Sequence, residues 1–322
     1  MIGIFTVALA AGAASALMFA SISSGALISI LLFYLASLPI MVAALGWGPL
    51  TAAIGGVGAA SVLGTIFGLP YSIAFAMMVA VPGWWLGHLA LLGRPIAGAA
   101  GDSAKQQPPA LEWYPVGRIL LWIAAFAIIT TTAALLTLGT DTDTITGTLR
   151  RGLLKMLSAG EAQPSGDIER LVDALVIFAP LAATVISMVT LTLNLWLAGK
   201  ITQTSGRLNR PWPEFRRTAL PAVTLVALIV AVGASFVGGM LALLAQIVAT
   251  ALVIAYALVG FAVLHTLTLS LANRGFWLGG VYAVVAMFGW PIVAMFALGI
   301  ADAVFGLRQR YLQTRPPPLP AA

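Results

Sequence analysis

No charged side chain occurs between Met1 and Gly93. A soluble domain keeps about a quarter of its residues charged, so this stretch must be solvated by lipid or by its own helices. Across all 322 residues, 61% are hydrophobic and only 8% are charged. The long apolar runs show no alternation of polar and apolar positions. Without water a backbone satisfies itself only in helices or closed barrels, and unalternating runs exclude the barrel. The reading is an all-α, polytopic transmembrane helix bundle of about 8–10 helices, embedded in a lipid bilayer.

Within the charge-free stretch, Leu38 to Gly56 reads LPIMVAALGWGPLTAAIGG. Pro39 fits the first turn of a helix, where its missing N–H would be unpaired anyway. Gly46 and Gly48 permit a tight reversal, and Pro49 starts the next helix. The small residues Ala52, Ala53, Gly55, Gly56 and Gly58 then allow a neighbour's backbone to approach closely. Ahead of this hairpin, Ala8, Gly12, Ala16 and Ala20 recur every fourth residue and share one helix face. By itself such a stripe predicts close packing inside the chain. Residues 1–20 lack a basic leader region, so they are expected to form the first membrane helix rather than a cleaved signal peptide.

A Pro-led apolar helix, a Gly-x-Gly-Pro turn and a small-residue helix together resemble the S subunits of energy-coupling-factor vitamin transporters. The resemblance covers residues 1–140. It implies an S-subunit-like N-terminal half that captures a small-molecule ligand. It also implies transport partner subunits, including an ATPase, because this chain carries no phosphate-binding loop of its own. S subunits dock their membrane partner through an Ala-rich face of the first helix, so the resemblance assigns Ala8, Gly12, Ala16 and Ala20 to docking. On that assignment, Leu at Gly12 and Ala16 abolishes partner binding and leaves the fold intact.

Further along, Arg94 to Arg118 is a polar loop holding Arg94, Lys105 and Arg118 against Asp102 and Glu112, read as flexible and cytoplasmic. A helix from Val116 to Leu138 follows. Residues 141–170 are too polar to span. Their Ile145, Leu149, Leu153, Leu154 and Leu157, interleaved with Arg150, Arg151 and Lys155, predict an extracytoplasmic amphipathic helix lying along the membrane surface. Leu171 to Ala198 is the next helix, with Pro180 inside it. The loop Lys200 to Arg217 sets five basic residues against Glu214, which places it in the cytoplasm by the positive-inside rule. The segment 220–271 is long enough to span twice, turning at Gly238-Gly239. The run 276–305 is either one helix or a pair broken at Trp290-Pro291. Domain boundaries follow: an S-subunit-like bundle over 1–140, the amphipathic segment 141–170, C-terminal membrane helices over 171–307 and a disordered tail over 308–322. Helix parity leaves the side of the tail open.

The stretch NLWLAGKITQTSGRLNRPWPEFRRTALP (Asn194 to Pro221), the run Gly260 to His265 and the ending ALGIADAVFGLRQR (Ala297 to Arg310) resemble the YybS-like family of uncharacterised bacterial membrane proteins. That likeness implies a multi-pass protein of the bacterial inner membrane and supplies no activity.

The sequence holds no hydrolytic triad, no paired intramembrane carboxylates, no cysteine and no clustered His ligands. No enzyme activity, cofactor or metal is expected, and the net charge of +6 reflects cytoplasmic loops rather than nucleic-acid binding. Candidate ligand-binding residues are Trp47, Trp84, His88, Asn194, His265 and Asp302. The histidines also read as packed core residues, Asn194 as a bond across helices, and the Trp84-Trp85 pair as an interfacial belt. Asp302, ionisable and near membrane depth, is a functional candidate, although Arg308 lies close enough in sequence to pair with it. The pocket itself is expected between the first five helices, near the turn at Gly46 to Pro49. Two readings compete: a small-molecule-capturing transport component, and a non-catalytic envelope scaffold similar to the rod-shape protein MreD, whose interior would be filled.

Overall fold

The computed structural model describes residues 2–95, 111–157 and 166–313. The helices are α1 (Ile2–Ala20), α2 (Leu27–Tyr34), α3 (Leu38–Trp47), α4 (Pro49–Phe67), α5 (Leu69–Phe75), α6 (Val81–Ala90) and α7 (Val116–Leu136). They continue with α8 (Thr142–Leu157), α9 (Gly166–Thr204), α10 (Val223–Ala234), α11 (Gly239–Leu267), α12 (Arg274–Phe288), α13 (Ile292–Phe305) and α14 (Leu307–Gln313). Among the described residues seven spans are long and apolar enough to cross a membrane, or eight if the bent pair α13–α14 is counted as one. Large apolar side chains such as Leu9, Leu17, Phe236, Phe276 and Met287 are exposed, as a lipid-facing surface requires and a watery one penalises. The chain is a multi-pass integral membrane protein.

It divides into two compact units. The first comprises residues 1–115, 125–138 and 178–212, and the second 116–124, 139–177 and 213–322.

The first unit is held by small residues. A Cβ on Gly12 would overlap the carbonyl oxygen of Gly55, and one on Gly55 would press on the carbonyl of Ala8. α1 and α4 therefore touch backbone to backbone. Gly83 and Gly87 of α6 instead leave room for the side chains of Ile40 and Ala44 of α3, and Gly56 for the methyl of Ala80. Lipid tails are as apolar as leucine, so close van der Waals contact rather than hydrophobic transfer drives such association. Ala8 and Ala16 are buried in this seam. The docking role assigned to Ala8, Gly12, Ala16 and Ala20 is thereby corrected: α4 already covers the core of that face.

The hairpin also departs from expectation in detail. α3 continues through Gly46 to Trp47, and Gly48 alone, at φ +98°, makes the reversal. Gly46 instead gives room to Thr202 and Arg207. Pro49 opens α4 as read. The ends of the Arg94–Arg118 loop are ordered as two strands, β1 (Gly93–Pro95) and β2 (Leu111–Trp113), paired antiparallel, with Arg94 bonded to Glu112. Asp102 and Lys105 lie outside the described residues.

In the second unit, α8 begins at a cap. Asp141 accepts hydrogen bonds from the Thr144 backbone N–H and hydroxyl. These bonds hold its carboxyl below the ordinary carboxylate range, the backbone bond most strongly. Gly238 and Gly239, both at positive φ, turn the chain between α10 and α11. Gly289, at φ +70°, separates α12 from α13, so the last apolar run is the broken pair. His265 near the end of α11 meets the ring of Phe215. Arg308, just beyond α13, bonds the carbonyls of Arg216 and Thr218. Both helices therefore end beside residues 215–218, the point from which α10 departs. The chain goes out along α10, back along α11, out along α12 and back along α13. α10 and α12, at about 18 and 22 Å, are short for a bilayer core of about 30 Å. Helix parity left the tail's side open, but these contacts place its start beside the basic residues 216–217. Residues 308–313, expected to be disordered, belong to α14, while 314–322 lie outside the described residues.

The α1–α4 seam makes a direct prediction. Gly12→Leu should clearly lower the melting temperature of the detergent-purified protein rather than spare the fold, because overpacking a tight contact costs about 1–3 kcal/mol. An unchanged melting temperature would show that α1 is free to move away from α4.

Candidate functional site

Prolines break two helices of the first unit, at Pro39 and Pro82, and a third, Pro180, lies inside the continuous α9; each removes a backbone donor. Pro39 has no N–H to offer the carbonyl of Leu35, so the Leu38 N–H bonds Leu35 instead, at 2.9 Å. That leaves the carbonyl of Tyr34 without its helical donor. The Asn194 side-chain amide, fully buried on α9, donates to it at 2.8 Å. Pro82 likewise cannot serve the carbonyl of Met78, and residues 76–80 widen into one π-turn between α5 and α6. Inside α9, the Thr184 hydroxyl donates to the carbonyl of Pro180 at 2.9 Å.

These prolines border one half-open cavity of about 440 Å³, whose rim residues Tyr34, Met78 and Ile186 are exposed. Its walls are Phe19, the stretch around the α2–α3 break (Phe33, Tyr34, Ser37), Met78 and Val79 of the π-turn, Thr130, Thr131 and Ala134 of α7, and α9 from Ala179 to Leu191. That volume lies within the range of small-molecule sites, and a mostly apolar wall with a few placed polar groups is their usual construction. Phe19 and Phe33 stack at 5.2 Å on the apolar side. Among the hydroxyls, Thr130 is committed to the Phe126 carbonyl and Thr131 accepts from Thr184 at 3.4 Å. The Ser37, Ser187 and Thr190 side chains make no hydrogen bond to described residues, and all three line the space. Among the described residues no charged side chain lines it.

None of the six residues singled out in the sequence lines this cavity, nor does it lie at the Gly46–Pro49 turn. The turn is covered by Thr202 and by Arg207, whose guanidinium sits 4.5 Å from the Trp47 ring. Trp84 stacks on His88, with Trp85 beside them. Asn194 is one turn beyond Thr190 and is engaged on Tyr34, its Oδ1 left unpartnered. In the second unit, His265 bonds the Tyr282 hydroxyl at 3.0 Å and meets Arg274 at 3.3 Å.

Asp302 is buried against Arg308. One carboxylate oxygen accepts the Arg308 backbone N–H at 2.9 Å, and the other accepts Nε and Nη2 at 2.9 and 2.7 Å. With its remaining Nη1 on two carbonyls, Arg308 ties the end of α13 to residues 216–218. The pair is a structural clasp. Among the described residues no three His, Asp or Glu side chains come together.

Elsewhere in the first unit the cations of 200–212 rest on aromatic rings: Lys200 on Trp212, Arg207 on Trp47 and Arg210 towards Trp113. Arg210 also donates to the carbonyls of Ala90 and Tyr114, and its burial lowers its pKa. These cations close the bundle end and are not free for a ligand. A smaller cleft of about 300 Å³ in the second unit is bordered by Asp143, Arg150 and Asp173, with Arg150 and Asp173 paired at 3.3 Å. Both of those side chains are exposed, so it is a solvated surface feature.

The cavity hydroxyls had a signal in the sequence. Thr184, Ser187, Thr190 and Asn194 fall three, three and four residues apart, which puts them on one face of an otherwise apolar helix. No protein-family model, no curated protein and no solved structure matches the chain.

Two substitutions test these assignments. Asn194→Leu strands the Tyr34 carbonyl in an apolar interior and should destabilise by about 1–3 kcal/mol, read as a lower melting temperature. Asp302→Ala leaves Arg308 buried without its counter-charge and should cost about 3–5 kcal/mol. Wild-type melting in either variant would refute the corresponding bond.

Proposed function

We propose that this protein is a small-molecule-capturing component of a transport system in the bacterial inner membrane, resembling the S subunits of energy-coupling-factor transporters and belonging with the YybS-like proteins. The cavity at the α2–α3 break carries this reading. Interrupted membrane helices are tolerated where the freed backbone is buried or lines a cavity, and transporters build their sites there. An envelope scaffold like MreD has no need of such a space and would be better served by a filled bundle, so the cavity favours capture over scaffolding. An enzymatic role gains no support, because Asp302 is consumed by its pairing with Arg308. Energy for transport would come from an ATPase on other chains. Any such partner would engage a surface other than the α1 stripe, which α4 occupies.

The experiment is mass spectrometry of small molecules and proteins co-purifying in mild detergent, comparing wild type with Ala183→Trp, which places a large ring against the cavity. A stoichiometric small molecule in the wild type and its loss from the variant are expected. Protein partners alone, with no compound in either preparation, would favour the scaffold.

A further inference from the structure

We infer that the molecule held in this cavity is uncharged, with an apolar body and neutral hydrogen-bonding groups read by Ser37, Ser187 and Thr190; the inference rests on the capture reading above. The described lining side chains carry no charge. α1 to α6 contain no Asp, Glu, Lys or Arg. The charges flanking the other two walls, Arg118 and Asp141 around α7 and Asp173 and Lys200 on α9, all fall outside the lining segments. A carboxylate, phosphate or ammonium entering would leave water without meeting a counter-charge, a loss that apolar contacts cannot offset. The Tyr34 carbonyl at the break, which could otherwise face a cation, is already taken by Asn194.

The walls also say what the ligand must carry. An acyl chain would fill the space beside Phe19, Phe33 and Met78, but it would leave three hydroxyls desolvated and unpaired. Each hydroxyl both donates and accepts, so amide, carbonyl, hydroxyl or neutral ring-nitrogen groups suit them. Ser187 and Thr190 sit one turn apart on α9, and Ser37 belongs to the break between α2 and α3. A ligand bonded to both would bridge the two helices.

A matched pair of fluorescent probes separates the outcomes. N-phenylnaphthylamine is neutral, and anilinonaphthalene sulfonate adds one negative charge to the same rings. Each would be titrated into the detergent-purified full chain and into two cavity-filling variants on different helices, Ala183→Trp and Ala134→Phe, so that misfolding of one leaves the other. The neutral probe should give a saturable signal in the wild type that both fillings abolish, while the sulfonate signal stays the same in all three proteins. Combining Ser187→Ala with Thr190→Val should weaken the neutral probe about fivefold. Filling-sensitive binding of the sulfonate, equal to that of the neutral probe, would overturn neutrality and leave capture standing. Neutral-probe affinity indifferent to the hydroxyl changes would mark an apolar site of the kind an acyl chain fills and overturn the hydrogen-bonding part. Insensitivity of both probes to filling would remove the cavity as a ligand site, and the capture reading with it.

Discussion

A proline in a membrane helix removes a donor that no water is there to replace, and the first unit is shaped by its answers to that demand. At Pro39 the ladder slips by one residue, the Tyr34 carbonyl is orphaned, and Asn194 crosses from α9 to meet it. At Pro82 the helix widens into a π-turn, whereas α9 runs unbroken through Pro180. Straight helices with continuous ladders would close tightly on one another. Interrupted ones do not, and the space they leave is the cavity. The same bonds that repair the backbone therefore fix the position of the walls.

The opposite treatment governs the α1–α4 and α3–α6 contacts. There one partner is reduced to glycine: backbones meet directly at Gly12 and Gly55, while Gly83 and Gly87 give room to the side chains of Ile40 and Ala44. Such contacts tolerate no added carbon, so they hold this part of the first unit rigid beside the looser region bordered by α7 and α9. Rigidity on one side and interrupted helices on the other suit a site whose framework must survive ligand entry. The second unit repeats the tight contact, with Gly260 on the Met295 backbone and Gly299 on that of Tyr256. The clasp of Asp302 and Arg308 closes its end.

Legibility in the sequence followed the range of the interactions. Helices, their glycine and proline ends, the amphipathic segment and the turn at Gly238-Gly239 depend on neighbours a few residues away, and their positions were readable. The pairing of Asp302 with Arg308 was readable as one of two options, because six residues along a chain bring such groups within reach. The α1 stripe was readable as a close-contact face but not as to its partner, since a row of small residues fits another helix of the same chain as well as a foreign one. The cavity was not readable: it lies at the opposite end of α3 from the Gly46–Pro49 turn. Glycines and tryptophans drew attention to Gly46–Pro49, whereas the space forms where residues far apart in sequence, such as Ser37 and Ser187, fail to fill it.

By itself, the sequence determined that this is a helical, multi-pass membrane protein, because a chain so poor in charge can neither stay in water nor leave its backbone unpaired in lipid. It also determined where helices start, stop and weaken, since proline and glycine act on their own backbone. Only the tertiary structure decided which weaknesses are repaired and which are left open. That choice turns on contacts such as Asn194 with Tyr34, which span 160 positions of chain and exist only once the helices have packed.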